Sequence, residues 1–177
     1  MIVLSLLIYL PKQLLLVIGF LLVAGHNSLD KINVEGDSFD SIAWYILHQF
    51  KFLPVDNGQM VVFAYPVIPW IGLITLGYCL GSFYTKGFDI KIRKKWLLTL
   101  GISSIVLFFI LRGINIYGDL VPWDTQDTNT KTVISFFNVT KYPPSLSYLL
   151  ITIGPALLFL YAIENIKNTV TNFFLAF

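Results

Sequence analysis

The most restrictive feature of this sequence is the spacing of its charged side chains, which leaves four long apolar stretches. Residues 60–84 and 142–163 contain no charge, residues 96–117 are interrupted only by Arg112, and residues 14–25 form a shorter run. A helix needs about 20 predominantly apolar residues to cross the hydrocarbon core of a bilayer. The pattern therefore predicts about four helices that span a membrane.

Composition supports this class and excludes several others. Of the 177 residues, 56% are hydrophobic and only 12% are charged, against about 25% charged in a soluble domain. A soluble core of this size cannot bury so much apolar surface. The net charge of +2 argues against a nucleic-acid partner. The single cysteine excludes a disulfide framework, and the two histidines lack metal-ligand spacing, so no metal site is expected. The predicted fold class is an all-α, polytopic transmembrane bundle in a lipid bilayer.

Both ends of the chain carry apolar segments too short to span. Residues 2–10 follow Met1 without the basic segment of a signal peptide. Residues 171–177 form a second short apolar run. We interpret both as partial spans, and residues 1–177 as a single membrane domain that is a fragment of a longer protein.

The loops differ in charge, which predicts their sides of the membrane. With alternating spans, one side holds seven basic and two acidic residues, most of the basic ones in residues 86–95. The opposite loops, residues 26–59 and 118–144, hold eight acidic and four basic residues. By the positive-inside rule, the loop at 86–95 is cytoplasmic and the other two are external. The aromatic-rich residues 39–50 predict an interfacial helix, whereas Pro122, Pro143 and Pro144 are expected to break any helix in residues 118–144.

Arg112 is the charged residue within the four apolar stretches, and Asn115 follows it on the same helix face. One interpretation is a polar cavity that binds a phosphate or carboxylate. The alternative is an arginine that reaches the outer interface or pairs with Asp119.

Two further pairs are candidates for a substrate cavity. His26 and Asp30 are four residues apart, so the carboxylate could orient the imidazole as a general base; alternatively, these residues only cap a helix end. Lys141 and Tyr142 precede a diproline and could contact a substrate at the outer mouth, or simply begin a helix rigidly. In residues 60–84, Gly77 and Gly81 form a GxxxG packing motif.

Several segments together resemble one family, the bacterial DUF1624 membrane proteins related to the catalytic domain of heparan-alpha-glucosaminide N-acetyltransferase. The segments that carry the resemblance are GHNSLD at 25–30, YPVIPWIG at 65–72 with LGY at 76–78, LRGINIYGD at 111–119 with PW at 122–123, and SFFNVTKYPPSL at 135–146.

This resemblance implies a multi-pass enzyme of the bacterial inner membrane that transfers acetyl from cytosolic acetyl-CoA to the amine or hydroxyl of a sugar. The family's Asp-His-x-Arg-like helix, with the histidine thought to be catalytic, has no counterpart in these residues. We therefore expect that His26 does not take that role, that the family's catalytic histidine is absent from the 177 residues, which leaves the catalytic residue unknown, and that this chain alone transfers no acetyl group. A membrane carrier or channel and a non-enzymatic membrane subunit remain the alternatives.

Overall fold

The computed structural model describes residues 2–55 and 58–164. It consists mainly of helices, with one short hairpin. In chain order the elements are α1 (Ile2–Leu7), α2 (Lys12–Gly25), α3 (Phe39–Leu47), β1 (Lys51–Pro54), β2 (Met60–Phe63), α4 (Val67–Gly81), α5 (Ile90–Ile114), α6 (Asn129–Phe137) and α7 (Leu146–Ile163). The apolar run predicted at residues 171–177 lies outside the described residues.

Four helical segments in the described part of the chain are long and apolar enough to cross a membrane. They are Lys12–Leu29, Val67–Tyr84, Ile90–Ile114 and Leu146–Ile163. The first and second each end in a 3-10 turn that extends the α-helix. The prediction of an all-α bundle with four spans is confirmed.

The boundaries of two spans differ from those predicted. The span expected at residues 60–84 becomes helical only at Val67, because Met60–Phe63 pairs as an antiparallel strand with Lys51–Pro54. Charge alone could not reveal this, since an uncharged strand and an uncharged helix give the same charge pattern. Conversely, α5 begins at Ile90, six residues before the apolar stretch, because Asp89 accepts a hydrogen bond from the Lys91 backbone N–H at 2.7 Å and caps the helix.

The long helices pack in two pairs, α2 against α4 and α5 against α7. Glycines make both contacts close. A Cβ atom on Gly19 or Gly72 would lie 2.8–2.9 Å from side-chain atoms of the facing helix, and one on Gly101 or Gly154 would lie 2.7–2.8 Å from them. The predicted motif at residues 77–81 is not part of either contact, since a Cβ on Gly77 or Gly81 meets nothing within 4 Å.

Contacts at the helix ends show that the four spans alternate in direction. At one end, the Lys12 ammonium donates to the Ser82 hydroxyl, and Arg93 pairs with Glu164. At the other end, the Tyr117 hydroxyl donates to the Ala24 carbonyl at 2.5 Å. This alternation is the arrangement that the charge argument assumes, and the cytoplasmic assignment of residues 86–95 stays a prediction.

The two polar connections carry structure of their own. Residues 26–59 contain α3, the predicted helix, followed by the hairpin of β1 and β2. In residues 118–144 the expectation that prolines prevent a helix is wrong, because α6 (Asn129–Phe137) lies between Pro122 and Pro143. Thr128 accepts a hydrogen bond from the Lys131 N–H at 3.3 Å, so α6 begins with a side-chain cap.

Candidate functional site

A buried histidine–carboxylate pair lies at the outer end of α2, by which we mean the end opposite residues 86–95. Asp30 accepts hydrogen bonds from the Asn27 amide at 2.7 Å and from Nε2 of His48 at 3.1 Å. The side chains of His48 and Asp30 are 3% and 11% exposed. Nδ1 of His48 is buried and has no hydrogen-bond partner within the described residues. One nitrogen of this imidazole is thus held by a carboxylate, and the other has no partner in the described part of the chain.

The partner expected for Asp30 was His26, and the structure replaces it with His48. His26 sits instead with Nδ1 2.9 Å from the Val23 carbonyl oxygen and Nε2 2.9 Å from the Pro144 carbonyl oxygen. Its ring centre lies 6.0 Å from that of His48. His26 therefore connects α2 to the segment that leads into α7, and both of its nitrogens are engaged.

His48 was not among the residues singled out from the sequence. It follows α3 directly and packs against Trp44, four residues earlier, with the ring centres 5.4 Å apart and the ring planes tilted by 51°. Eighteen residues separate it from Asp30. No helical or strand period relates two residues so far apart across a turn, so only the folded connection brings them together.

Arg112 is enclosed by the second outer connection. Its guanidinium donates to the carbonyl oxygens of four residues at 2.9–3.3 Å, namely Val121, Ser135, Phe136 and Asn138. One nitrogen also lies 3.8 Å from an Asp119 oxygen. At 2% exposure, Arg112 does not reach the surface. The arrangement matches the alternative in which Arg112 pairs with Asp119, and these contacts occupy the group that an anion would need.

Asn115 contributes to the same enclosure rather than to an open cavity. It ends α5 in the left-handed conformation, at φ 57°. Its side-chain amide donates to the Trp123 carbonyl at 2.8 Å and accepts from the Trp123 N–H at 3.1 Å. Trp123 in turn donates from its indole to the Arg112 carbonyl at 2.6 Å. These contacts fold the chain after α5 back onto the helix end.

Asp119, which the sequence suggested only as a partner of Arg112, is the centre of this connection. It accepts hydrogen bonds from the Thr140 hydroxyl at 2.6 Å, the Ser145 hydroxyl at 2.9 Å and the Val121 N–H at 3.0 Å. Its side chain is 5% exposed. A single carboxylate thus joins the end of α5 to the beginning of α7.

Lys141 and Tyr142 remain accessible at the outer end, where they meet Tyr65. The hydroxyl groups of Tyr65 and Tyr142 are 3.4 Å apart, and the Lys141 ammonium lies 5.2 Å from the Tyr142 ring centre. The pKa of Tyr142 is lowered because the Tyr65 hydroxyl and then Lys141 stabilise the phenolate. The pKa of Lys141 is raised, chiefly by its interaction with the Tyr142 hydroxyl. This exposed trio, which we call the tyrosine–lysine cluster, combines aromatic faces with a positive charge.

A shallow cavity of about 220 Å³ adjoins the tyrosine–lysine cluster. It lies between α3 and β2, and its lining is mainly apolar and aromatic: Tyr45, Ile46, Val62, Phe63, Ala64 and Tyr65. Aromatic faces of this kind can stack on the apolar face of a small ligand. Within the described residues, no group of three or more His, Cys, Asp or Glu side chains is placed to hold a metal ion.

Four membrane-length helices that alternate in direction, with polar clusters at one end, define a polytopic helical membrane protein. The family model described as "Heparan-alpha-glucosaminide N-acetyltransferase, catalytic" matches residues 1–113. Because that match covers more than half of the chain, the protein belongs to this family of acetyltransferase-like membrane proteins. The match includes His26, Asp30 and His48 and ends before Lys141. No curated protein and no solved structure matches the chain.

Proposed function

We propose that this protein acts as a membrane acetyltransferase that passes an acetyl group from acetyl-CoA to the amine or hydroxyl of a sugar. The observation that carries the proposal is the buried pair of His48 and Asp30, with Nδ1 of His48 unpartnered, in a chain of this family. An imidazole held in this way is suited to acid–base catalysis, because the carboxylate orients the ring and stabilises its protonated form.

His48 would act as general base on the acceptor in this scheme, a role separate from that of the family's catalytic histidine, which the resemblance places in a helix that these residues lack. Acetyl-CoA supplies an activated thioester carbonyl, which in this scheme has to reach the outer end of the bundle through the membrane domain, because acetyl-CoA is cytosolic. As the acceptor nitrogen or oxygen forms its bond to that carbonyl carbon, Nδ1 of His48 takes the proton that the acceptor loses. The carbon–sulfur bond then breaks, and the same proton can return to the departing thiolate. Asp30 holds Nε2–H of the ring throughout.

The tyrosine–lysine cluster of Tyr65, Lys141 and Tyr142 would bind the acceptor. It is exposed at the same end of the bundle as His48 and presents hydroxyl donors, aromatic faces and a cation. Sugars are commonly held by such combinations, because ring C–H groups pack on aromatic faces while hydroxyls exchange hydrogen bonds. His26, Arg112 and Asn115 position the connections that surround this end of the bundle.

The test compares variants in membranes from cells that express the protein from its natural gene. Transfer from radiolabelled acetyl-CoA to glucosamine is measured for wild type, His48→Gln and Asp30→Asn. Loss of a general base lowers kcat by about 10²–10⁴-fold. We expect that loss for His48→Gln, together with loss of the acidic limb of the pH profile of kcat, because a general base works only when it is deprotonated. A normal unfolding temperature of the variant separates this effect from misfolding.

His26→Gln is the matched control, because it changes the neighbouring histidine, whose two ring nitrogens are already engaged with the carbonyls of Val23 and Pro144. It should leave the pH profile unchanged. Wild-type turnover that His48→Gln does not reduce would refute the role of His48. No transfer by wild-type membranes, with uptake of labelled sugar instead, would favour the carrier alternative.

A further inference from the structure

Three exposed lysines lie within ten residues of one another in the chain, at the end of the bundle opposite the candidate site. Lys86 precedes α5, and Lys91 and Lys95 are one helical turn apart within it, so the latter two share a face. Their ammonium groups form no ion pair or side-chain hydrogen bond within residues 2–55 and 58–164. We call these three residues the lysine surface.

The acidic groups near the lysine surface are already engaged. Asp89 accepts from the Lys91 backbone N–H at 2.7 Å, and Glu164 pairs with Arg93. Arg93 also donates to the Phe83 carbonyl at 3.0 Å, and the Lys94 ammonium lies 4.9 Å from the Tyr161 ring centre. Asp89 keeps its charge but pairs with none of the three lysines, so the described part of the chain leaves their ammonium groups without an ion-pair partner. Like charges one turn apart repel each other. A bound anion would reduce this repulsion and so stabilise the folded chain.

An apolar row stands directly beside this positive row. Ile92 and Trp96 are also one turn apart, next to Lys91 and Lys95, and they are 48% and 47% exposed. α5 is one of the helices long and apolar enough to span a membrane. Exposed isoleucine and tryptophan at the end of such a helix place this turn at the boundary between acyl chains and headgroups. The lysine surface therefore lies at the level of lipid phosphates.

We propose that the lysine surface binds the phosphate of an anionic phospholipid, with the acyl chain of the same lipid packed along Ile92 and Trp96. This interaction is separate from acetyl transfer and uses none of its residues. The phospholipid is favoured over a soluble phosphate because the positive and apolar rows adjoin, so one molecule with a charged headgroup and an apolar tail satisfies both.

The experiment titrates lipid into the purified protein in a neutral detergent and counts bound lipids by native mass spectrometry. Phosphatidylglycerol and phosphatidylcholine with identical acyl chains are compared. Basic residues near a membrane surface each contribute enough attraction that we expect wild type to prefer phosphatidylglycerol by about tenfold. The triple variant Lys86→Gln/Lys91→Gln/Lys95→Gln should bind the two lipids about equally. Inorganic phosphate at the same concentration should not displace the bound lipid.

Two matched variants make the result specific. Lys31→Gln/Lys51→Gln/Lys131→Gln removes the same charge at the opposite end and should keep the preference. Lys86→Arg/Lys91→Arg/Lys95→Arg keeps the three positive charges and should also keep the preference for phosphatidylglycerol. This variant covers the case in which the glutamine variant fails to fold. Equal binding of both lipids by wild type, displacement by inorganic phosphate, or an equal loss in the opposite-end variant would each overturn the proposal.

Discussion

At the scale of single residues, Arg112 shows how burial changes the meaning of a charge. In the sequence it is an isolated cation within an apolar stretch, which suggests ligand binding. In the fold it is 2% exposed and is enclosed by backbone carbonyls and Asp119. A buried arginine of this kind stabilises a particular path of the chain, since any other path would leave the guanidinium without acceptors.

We predict that Arg112→Gln destabilises the protein by about 3–5 kcal/mol, because it leaves the buried Asp119 carboxylate without its cation. The measurement is the free energy of unfolding in mixed detergent micelles, followed by tryptophan fluorescence. Lys131→Gln is the control: Lys131 is 61% exposed and pairs with an Asp127 side chain that is 89% exposed. That exposed pair contributes at most about 1 kcal/mol.

The double variant Arg112→Gln/Asp119→Asn tests the reason for that loss. If the unpaired carboxylate causes most of it, the added neutralisation of Asp119 should cost less than it does in the Asp119→Asn single variant. Strictly additive losses would mean that the two side chains do not interact energetically.

At the scale of elements, the helix pairs depend on glycines that the sequence does not distinguish from others. Gly101 and Gly154 face each other across α5 and α7, where each would place a Cβ within 2.7–2.8 Å of a side chain. Gly77 lies in the middle of α4 with open space around it. In a bilayer the close approach of backbones is a main source of helix association, because lipid tails compete equally for apolar side chains.

Gly101→Val should therefore separate α5 from α7 and destabilise the protein by about 1–3 kcal/mol, as overpacking commonly does. Thermal unfolding in detergent measures this as a lower midpoint. Gly77→Ala is the matched control and should keep or raise the midpoint, because alanine is the better helix former and meets no neighbour. A larger loss from Gly77→Ala than from Gly101→Val would contradict the packing described here.

At the scale of the whole molecule, the two ends of the bundle differ in charge and in the residues that they carry. The end with Lys12, Arg93 and Glu164 carries the lysine surface, whereas the end with His48, Asp30 and Asp119 carries the candidate site. The positive-inside rule assigns the first end to the cytoplasm and the second to the outside.

Labelling of single cysteines in intact cells tests this orientation, in a Cys79→Ala background. Asp37→Cys and Asp124→Cys lie in the acidic connections and should react with a membrane-impermeant maleimide. Lys91→Cys should react only after the cells are permeabilised. All three positions are exposed in the structure, so reactivity reports the side of the membrane. Reaction of Lys91→Cys alone in intact cells would reverse the topology.

The sequence by itself determined the class of protein and the number of spans. Charges cannot be left in lipid without a partner, so their positions delimit the apolar stretches that became α2, α4, α5 and α7. The family resemblance also followed from local segments. What the charge pattern could not determine were the boundaries near residues 60–66, where strand pairing with residues 51–54 replaced helix.

The tertiary structure decided the site. Asp30 accepts from His48 rather than His26 because the turn after α2 and the end of α3 fold together, a proximity that no local period encodes. It likewise decided that Arg112 is enclosed, since its acceptors are backbone carbonyls contributed by residues 121–138. Every residue has a carbonyl, so side-chain identity carries no sign of which ones will surround a buried charge; only the path of the chain does.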